Sequence, residues 1–398
     1  MAKQHRIGIL GGVFDPIHEG HIRMGICALD TGAVDEILVV PAGDPPYKTC
    51  AAGPEDRWKM VVAACTCDKR LIPSRIEIDR SGSSYTADTL KLLKKKFPKD
   101  ELYYVIGSDS LKTIRFWKHP EKVLSMCRFL VCPRSGIDPD ETEKEIRHLT
   151  GMGGCFTILN MDPVSVSSSA IRSAFSGGQI PDCLNPAVWE YCSCKGLYGA
   201  SGRMDRIDEW MDKLFSSLKA GRFAHSLSVA FTASGLARRH GIDPLKAEQA
   251  GLLHDCAKNL PLKDMRQIAE SYSLTEDQAF LSSTSLLHSV VGAWVAEHRY
   301  GMTDPDVLEA IAYHNTGHAG MSRLAMCVCL ADFIEPLRPE FPCLEEIRSL
   351  AGVSLEKSLL LSLEVTAAYV LSRGLYLHPQ TKETISWLRS LPAVRGES

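Results

Sequence analysis

The stretch Ile7-Gly-Ile-Leu-Gly-Gly-Val-Phe-Asp-Pro-Ile-His-Glu-Gly-His21 decides the fold of the first half of the chain. Its apolar start predicts a short buried strand, its glycines predict a turn, and an apolar periodicity that begins near Ile22 predicts a helix. Glycines let the backbone approach a phosphate closely, and the start of a helix offers unpaired N–H groups and a partial positive charge. We therefore predict a phosphate-binding site at this turn.

Similar buried strands are predicted further along, at Ile37-Leu-Val-Val40, Leu102-Tyr-Tyr-Val-Ile106 and Phe129-Leu-Val131, separated by helical stretches. Such alternation is typical of an α/β domain with a parallel, Rossmann-like sheet. After Gly196-Leu-Tyr-Gly-Ala-Ser-Gly202 the strand-like runs vanish, and apolar residues recur at helical spacing as far as about residue 391. We predict an α/β domain over 1–198, a linker at 199–204, an all-α domain over 205–391 and a tail at 392–398.

The composition favours an ordinary soluble globular protein whose partners are small molecules. Of 398 residues, 45% are hydrophobic and 23% are charged, and the net charge of −3 creates no global field that would attract nucleic acid or a membrane. We expect no signal peptide and no membrane span. Fourteen cysteines lack zinc-ribbon spacing, which favours reduced thiols and a cytoplasmic location. The oligomeric state stays open, a homo-oligomer included.

His18 and His21 are three positions apart, so they can face one bound polyphosphate together. The intervening Glu19 does not make a zinc-protease motif, which needs two histidines four positions apart. The segment resembles the H-x-G-H signature of the nucleotidyltransferase superfamily, and its longer form G-G-x-F-x-P-x-H-x-G-H resembles bacterial nicotinate-nucleotide adenylyltransferases. Further matches follow in the family's order at Pro41-Ala-Gly-Asp-Pro-Pro-Tyr-Lys48, Ser84-Tyr-Thr-Ala-Asp-Thr-Leu90, Ile106-Gly-Ser-Asp-Ser-Leu111 with Trp117, and Val166-Ser-Ser-Ser-Ala-Ile-Arg172.

The resemblance implies transfer of the adenylyl group of ATP to nicotinate mononucleotide, with Mg²⁺ accompanying the ATP. The mononucleotide phosphate attacks in line, so the protein needs cations and positioning rather than a nucleophile. The resemblance assigns catalysis to His18, His21, Lys48 and Arg172, and substrate binding to Gly11, Gly12, Phe14, Ser84, Tyr85, Thr86, Asp109, Trp117, Arg134, Ser168 and Ser169. Tyr47 and Ser169 depart from the histidine and threonine usual there. Transfer to another phosphate acceptor, such as phosphopantetheine, is the alternative.

In the second half, Leu252-Leu-His-Asp-Cys-Ala-Lys258 places a histidine beside an aspartate in an apolar frame, which predicts a buried helix. A buried aspartate needs a partner, and an adjacent imidazole makes a divalent metal a suitable one. Four more candidate ligands recur in helical apolar patterns, namely His225, His288, His314 and Asp332. Together with His254 and Asp255 they predict a shared metal centre.

The order H…HD…H…H…D is similar to that of HD-domain phosphohydrolases, and in particular of those that split diadenosine tetraphosphate into two ADP. The resemblance implies two divalent metals, with iron as the metal that the family suggests. His225, His254, Asp255 and Asp332 would hold one metal, His288 and His314 the other, and Asp255 would bridge the two. It makes Asp255 and Lys258 catalytic, with Arg222 and Arg338 as phosphate contacts of a dinucleoside polyphosphate. His318 stands where a basic residue is expected. A regulatory nucleotide-binding module without hydrolysis is the alternative.

Overall fold

The computed structural model describes residues 5–163, 165–177, 179–200 and 206–395. The chain divides into two compact units, residues 1–204 and residues 205–398. Residues 201–204 of the predicted linker and 396–398 of the predicted tail lie outside the described residues. The rest of that tail continues the helical unit, because Pro392–Arg395 is a short helix.

The N-terminal unit is built on a parallel sheet, which confirms the predicted fold class. Its six strands in the described residues follow the order β3-β2-β1-β4-β5-β6. They are β1 (Arg6–Gly12), β2 (Glu36–Pro41), β3 (Leu71–Pro73), β4 (Glu101–Gly107), β5 (Arg128–Cys132) and β6 (Phe156–Ile158). The strand order reverses at β1, which pairs with β2 on one side and β4 on the other. In open parallel sheets ligands bind beside such a reversal, at the carboxyl ends of the strands.

Within the part of this unit that the structure describes, eight helices cover the sheet, together with 3-10 turns at Cys65–Cys67, Ser108–Ser110 and Leu197–Gly199. The helices are α1 (Glu19–Asp30), α2 (Pro54–Ala64), α3 (Thr86–Lys96), α4 (Leu111–Ile114), α5 (Pro120–Met126), α6 (Pro139–Gly151), α7 (Ser168–Ser176) and α8 (Pro186–Cys194). Several begin with a proline in the first turn, where its missing N–H has no cost.

The core of this unit fixes the end of β1 in place. Ile7 and Ile9 are fully buried and belong to one cluster with Leu38, Leu102 and Phe129, one from each of three further strands. Burying such a side chain stabilises the fold by roughly 1.5–3 kcal/mol. Because the strand that leads into the glycine turn lies at the centre of the sheet, the turn itself is held rigidly.

The C-terminal unit is helical, as the sequence predicts, with no strand among its described residues. Its helices are α9 (Ile207–Ser217), α10 (Ala220–His240), α11 (Pro244–Leu253), α12 (Leu262–Ser271), α13 (Gln278–Leu281), α14 (Thr284–Tyr300), α15 (Pro305–Tyr313), α16 (Arg323–Ile334), α17 (Leu344–Ala351), α18 (Leu355–Ser372), α19 (Pro379–Ser390) and α20 (Pro392–Arg395). Among the helices that the structure describes, none combines the length and the apolar character that a membrane crossing requires.

A close approach of α10 and α11 positions the second predicted site. A Cβ added to Gly251 would lie 2.8 Å from the Cα of Ala230, so only glycine lets these two helices come so near. The approach brings His254, which follows α11, beside His225 on α10, with ring centroids 5.2 Å apart.

Candidate functional sites

A cleft of about 920 Å³ opens at the carboxyl edge of the parallel sheet. It collects residues that are far apart in the sequence, at the reversal of strand order beside β1 and β4. The predicted site residues along its walls are Gly11, Gly12, Phe14, His18, His21, Lys48, Ser84, Thr86, Asp109, Trp117, Arg134, Ser168, Ser169 and Arg172. Tyr85, also predicted, is not among the residues that line it.

The two histidines lie side by side at the start of α1. The helix begins at Glu19, three residues before the predicted start near Ile22, so His21 falls in its first turn. The rings of His18 and His21 stack with centroids 3.8 Å apart, and the backbone N–H of His18 donates to Nδ1 of His21 at 3.3 Å. Both imidazoles line the cleft together.

Burial keeps both imidazoles neutral at pH 7. Desolvation and the positive charge of Arg134 lower the pKa of His18 to about 4. Desolvation, with His18 and Arg134 nearby, holds the pKa of His21 well below its ordinary value. Nδ1 of His18 is buried without a hydrogen-bond partner. A buried polar nitrogen that faces a cleft is a group that a ligand can satisfy.

Fewer backbone N–H groups are free to bind a phosphate at the start of α1 than the sequence predicts. The N–H of Glu19 donates to the carbonyl of Cys183 at 3.0 Å, and the N–H of His21 donates to the carbonyl of His18 at 2.9 Å. A phosphate bound at this helix end would therefore be held more by side chains than by the helix backbone.

Three cations surround the histidines. Arg172 on α7 donates from Nη1 to the carbonyl of Asp15 at 2.7 Å, which attaches α7 to the loop before α1. Nε of Arg134 lies 3.7 Å from Oδ1 of Asp109, while Lys48 extends from the loop after β2, exposed to solvent. Ser168, the first residue of α7, donates its hydroxyl to the carbonyl of Pro16 at 3.1 Å. The site is thus rich in positive charge that a triphosphate would balance.

The other side of the cleft holds an aromatic wall. Trp117 is half-buried and meets Tyr104 edge to face, with ring centroids 6.0 Å apart. The hydroxyl of Ser84 accepts from the N–H of Gly43 at 3.0 Å, so it fixes the β2 loop. Tyr85 caps α3 and lies under Lys118, whose Nζ is 4.4 Å from the ring centroid.

Two residues that sequence reasoning missed hold these loops together. Asp15 is 5% exposed, and its carboxylate accepts from the N–H groups of Ala51 and Ala52 at 2.7 and 3.1 Å. Arg57 is 1% exposed and donates to four backbone carbonyls, those of Val13, Ala42, Gly43 and Ala52. Asp15 stands inside the quoted motif and could have been found there, whereas an arginine on an amphipathic helix gives no signal of burial.

In the C-terminal unit, Asp255 stands between two sets of histidines. Its Oδ2 faces the first histidine set, His225 and His254, at 3.9 and 3.4 Å. Its Oδ1 faces the second histidine set, His288 and His314, at 3.1 and 3.8 Å. Asp332 joins the first set, with Oδ1 3.0 Å from Nε2 of His225. Four of the predicted ligands, all histidines, therefore converge on the buried carboxylate of Asp255, and Asp332 contacts one of them.

The structure corrects the expected position of this pair. His254 and Asp255 do not lie within a helix, because α11 ends at Leu253; likewise His314 follows the end of α15 at Tyr313. The backbone turns there and directs these side chains inward, where His254, Asp255 and His314 are at most 1% exposed.

The donor set fits divalent cations. Nδ1 of His254, His314 and His288 lies 2.7, 2.7 and 3.2 Å from a backbone carbonyl. A carbonyl only accepts, so each Nδ1 carries the proton and each Nε2 presents a lone pair. Two of these nitrogens, Nε2 of His288 and Nε2 of His314, lie 3.1 Å apart, so their lone pairs face each other. A shared cation would stabilise that arrangement, and Nε2 of His254 and Oδ1 of Asp255 are buried without hydrogen-bond partners of good geometry.

Electrostatics agree with this fit at Asp255 and His314, whereas the carboxylates of Asp332 and Glu335 outweigh burial and raise the pKa of His225. Burial alone would raise the pKa of Asp255, but His254, His288 and Lys258 hold it well below its ordinary value. Burial and the neighbouring His254 and His288 lower the pKa of His314. Ionised carboxylates and neutral imidazoles are the forms that bind metals.

Cationic side chains line the open side of the centre. Nη1 of Arg222 lies 2.5 Å from Oδ2 of Asp255, Nζ of Lys258 lies 2.9 Å from Nε2 of His288, and Nη2 of Arg338 lies 2.8 Å from Oδ1 of Asp332. His318, by contrast, pairs with Glu309 at 3.0 Å. The three cations are about one-third exposed, so each can reach a phosphate group beside the metal ligands.

Known families and proteins match each of the two units, and one known protein matches nearly the whole chain. Residues 9–174 match the Cytidylyltransferase-like family, and residues 222–337 match the HD domain. A Mycoplasma pneumoniae protein named a probable nicotinate-nucleotide adenylyltransferase/Ap4A hydrolase is 29% identical over 92% of this chain and 98% of its own length. A Synechococcus protein named a probable nicotinate-nucleotide adenylyltransferase is 37% identical over 49% of this chain and 96% of its own length.

Among solved structures, an HD superfamily hydrolase of Clostridium acetobutylicum, described as involved in NAD metabolism, is 38% identical. It covers 47% of this chain and 99% of its own chain, with a TM-score of 0.46. The match to the Synechococcus protein spans nearly the whole length of that protein. The predicted metal ligands of the C-terminal unit all fall within the HD-domain match. The chain belongs to the nicotinate-nucleotide adenylyltransferase family through its N-terminal unit and joins to it an HD domain in its C-terminal unit.

Proposed function

We propose that the chain is a bifunctional enzyme of NAD biosynthesis. Its N-terminal unit transfers the adenylyl group of ATP to nicotinate mononucleotide and releases diphosphate, and its C-terminal unit hydrolyses diadenosine tetraphosphate to two ADP. The observation that carries the first activity is the stacked pair of His18 and His21 in one cleft with three cations. The observation that carries the second is the single carboxylate of Asp255 between two histidine sets.

Adenylyl transfer needs two anionic substrates held in line. We assign Lys48, Arg134 and Arg172 to the phosphates of ATP and of the mononucleotide, because these cations neutralise charge that grows in the transition state. The neutral imidazoles of His18 and His21 donate hydrogen bonds to the triphosphate. Trp117 offers a flat face for the pyridine ring, and Asp109 with the backbone near Ser84 and Thr86 frames it. Mg²⁺ accompanies the ATP, held mainly by phosphate oxygens.

Hydrolysis of the tetraphosphate needs a water nucleophile and charge stabilisation. Two divalent metals held by the six ligands would supply a hydroxide at neutral pH and stabilise both the attacking and the leaving oxygens. Arg222, Arg338 and Lys258 orient the polyphosphate, and Lys258, beside His288, is positioned to give a proton to the leaving phosphate. A mixed imidazole and carboxylate donor set suits iron, manganese or cobalt, and we propose iron.

We also place the enzyme in the cytoplasm. No disulfide joins any of the fourteen cysteines, all of which belong to the described residues. Persistent thiols of this number are typical of reducing compartments.

The test is a substrate panel on the anaerobically purified chain. With ATP and Mg²⁺, we expect nicotinate adenine dinucleotide from nicotinate mononucleotide, and slower or no product from nicotinamide mononucleotide. With diadenosine tetraphosphate and iron or manganese, we expect two ADP per substrate. Turnover of phosphopantetheine but not of pyridine mononucleotides would refute the first activity; a metal-loaded chain that binds the tetraphosphate without cleaving it would refute the second.

A further inference from the structure

Glu335 carries a buried carboxylate beside the cluster of predicted metal ligands. The proposed activities assign no role to this residue. It follows the last residue of α16 and is 2% exposed. It also stands in the segment Ala331-Asp-Phe-Ile-Glu-Pro336, where only Asp332 has been given a role. Burying a charged carboxylate is costly unless strong hydrogen bonds compensate, so its surroundings indicate what it does.

Both oxygens of Glu335 have a partner. Oε1 lies 3.0 Å from Nδ1 of His225, and Oε2 accepts from the N–H of Leu337 at 2.6 Å. The bond to Leu337 fixes the carboxylate on its own loop. The fixed carboxylate then faces a histidine on α10, whose side chain is 9% exposed.

His225 differs in this respect from the other three histidines of the centre. Nδ1 of His254, His314 and His288 faces a backbone carbonyl, which the helix geometry supplies locally. His225 has instead a side chain 110 positions away. A carboxylate only accepts hydrogen bonds, so Glu335 keeps a proton on Nδ1 of His225. Nε2 lies 3.0 Å from Oδ1 of Asp332 and 3.9 Å from Oδ2 of Asp255, and a cation bound among these oxygens takes the place of any proton on Nε2.

We propose that Glu335 is a positioning residue for the metal centre, which fixes the tautomer and the ring orientation of His225 and makes its Nε2 a stronger ligand. The inference rests on the proposed metal-dependent function. Carboxylate partners of this kind raise the basicity of a ligating imidazole, and their loss weakens metal binding by roughly 10- to 100-fold. Glu335 touches neither substrate nor metal in this role.

The test is metal binding to the apo chain, followed by the electron paramagnetic resonance signal of free Mn²⁺, in Glu335→Gln. Glutamine keeps the size of the side chain but cannot accept from both His225 and Leu337, since one of its two ends only donates. The matched control is Glu309→Gln, because Glu309 accepts from His318 at the same 3.0 Å but lies outside the metal ligands. Imidazole ¹⁵N shifts of His225 report the tautomer in metal-free samples of the same variants, because bound Mn²⁺ would broaden the signals of its ligands.

We expect Glu335→Gln to bind Mn²⁺ at the His225 position about 10- to 100-fold more weakly, with mixed tautomers of His225, and Glu309→Gln to bind within twofold of wild type. Equal affinity in Glu335→Gln and wild type would overturn the inference. So would weaker binding with an unchanged Nδ1–H tautomer, which would indicate a structural role only. Failure of the wild-type chain to bind Mn²⁺ would overturn the proposed metal centre itself, a result distinct from either.

Discussion

Acidification should weaken the folding of the N-terminal unit through His18. Burial and Arg134 lower the pKa of this imidazole from 6.5 to about 4. Between these values the unfolded chain takes up a proton at this position and the folded unit does not, so the free energy of unfolding falls as the pH falls. At about 1.4 kcal/mol per pKa unit, going from pH 7 to pH 5 lowers it by about 2 kcal/mol through this group alone.

Replacing His18 by asparagine removes this titration. The variant should lose about 2 kcal/mol less than wild type between pH 7 and pH 5. Hydrogen exchange of the buried amides of Ile7 and Ile9 measures this, because they report opening of the N-terminal unit rather than of the whole chain. His148→Asn is the matched control, since His148 is exposed on α6. Equal losses in His18→Asn and wild type would refute the buried, uncharged state of His18.

Three further outcomes follow from the two sites. Removal of metals with a chelator should abolish hydrolysis of diadenosine tetraphosphate, and re-addition of iron or manganese should restore it; hydrolysis that survives chelation would contradict the metal centre. Trp117→Leu should raise the KM for nicotinate mononucleotide about tenfold while leaving the KM for ATP unchanged, because only the pyridine ring loses its aromatic partner. Equal changes in both KM values would contradict that assignment. Arg57→Met should lower the free energy of unfolding of the N-terminal unit by about 3 kcal/mol or more, since four carbonyls lose a buried donor; a loss below about 1 kcal/mol by hydrogen exchange would contradict it.

The sequence predicts the fold class and four of the strands because their signals are local. The strands β1, β2, β4 and β5 are apolar runs of five to seven residues, long enough to be recognised. The strands β3 and β6 have three residues each, too few to show any periodicity, and pairing with a longer neighbour decides that they form. The start of α1 was misplaced because Glu19 and Gly20 are not apolar, although the helix includes them.

The same distinction between local and tertiary signals holds for the residues of the two sites. Motifs identify candidates such as His18, Lys48 and Asp255, because residue type and order carry the chemistry. They do not reveal contacts that only the tertiary fold creates, such as the four carbonyls around Arg57 or the hydrogen bond between Glu335 and His225. Nor do they reveal that α11 ends one residue before His254, since the apolar pattern continues through the turn.

The claim that two independent active sites share one chain is tested most directly by measuring both reactions in two variants, His21→Ala and Asp255→Asn. Each variant removes a group from one site only, and the two groups belong to different units. We predict that His21→Ala loses formation of nicotinate adenine dinucleotide and keeps hydrolysis of diadenosine tetraphosphate, whereas Asp255→Asn shows the reverse. Loss of both reactions in either variant, with the fold intact by circular dichroism, would contradict the account.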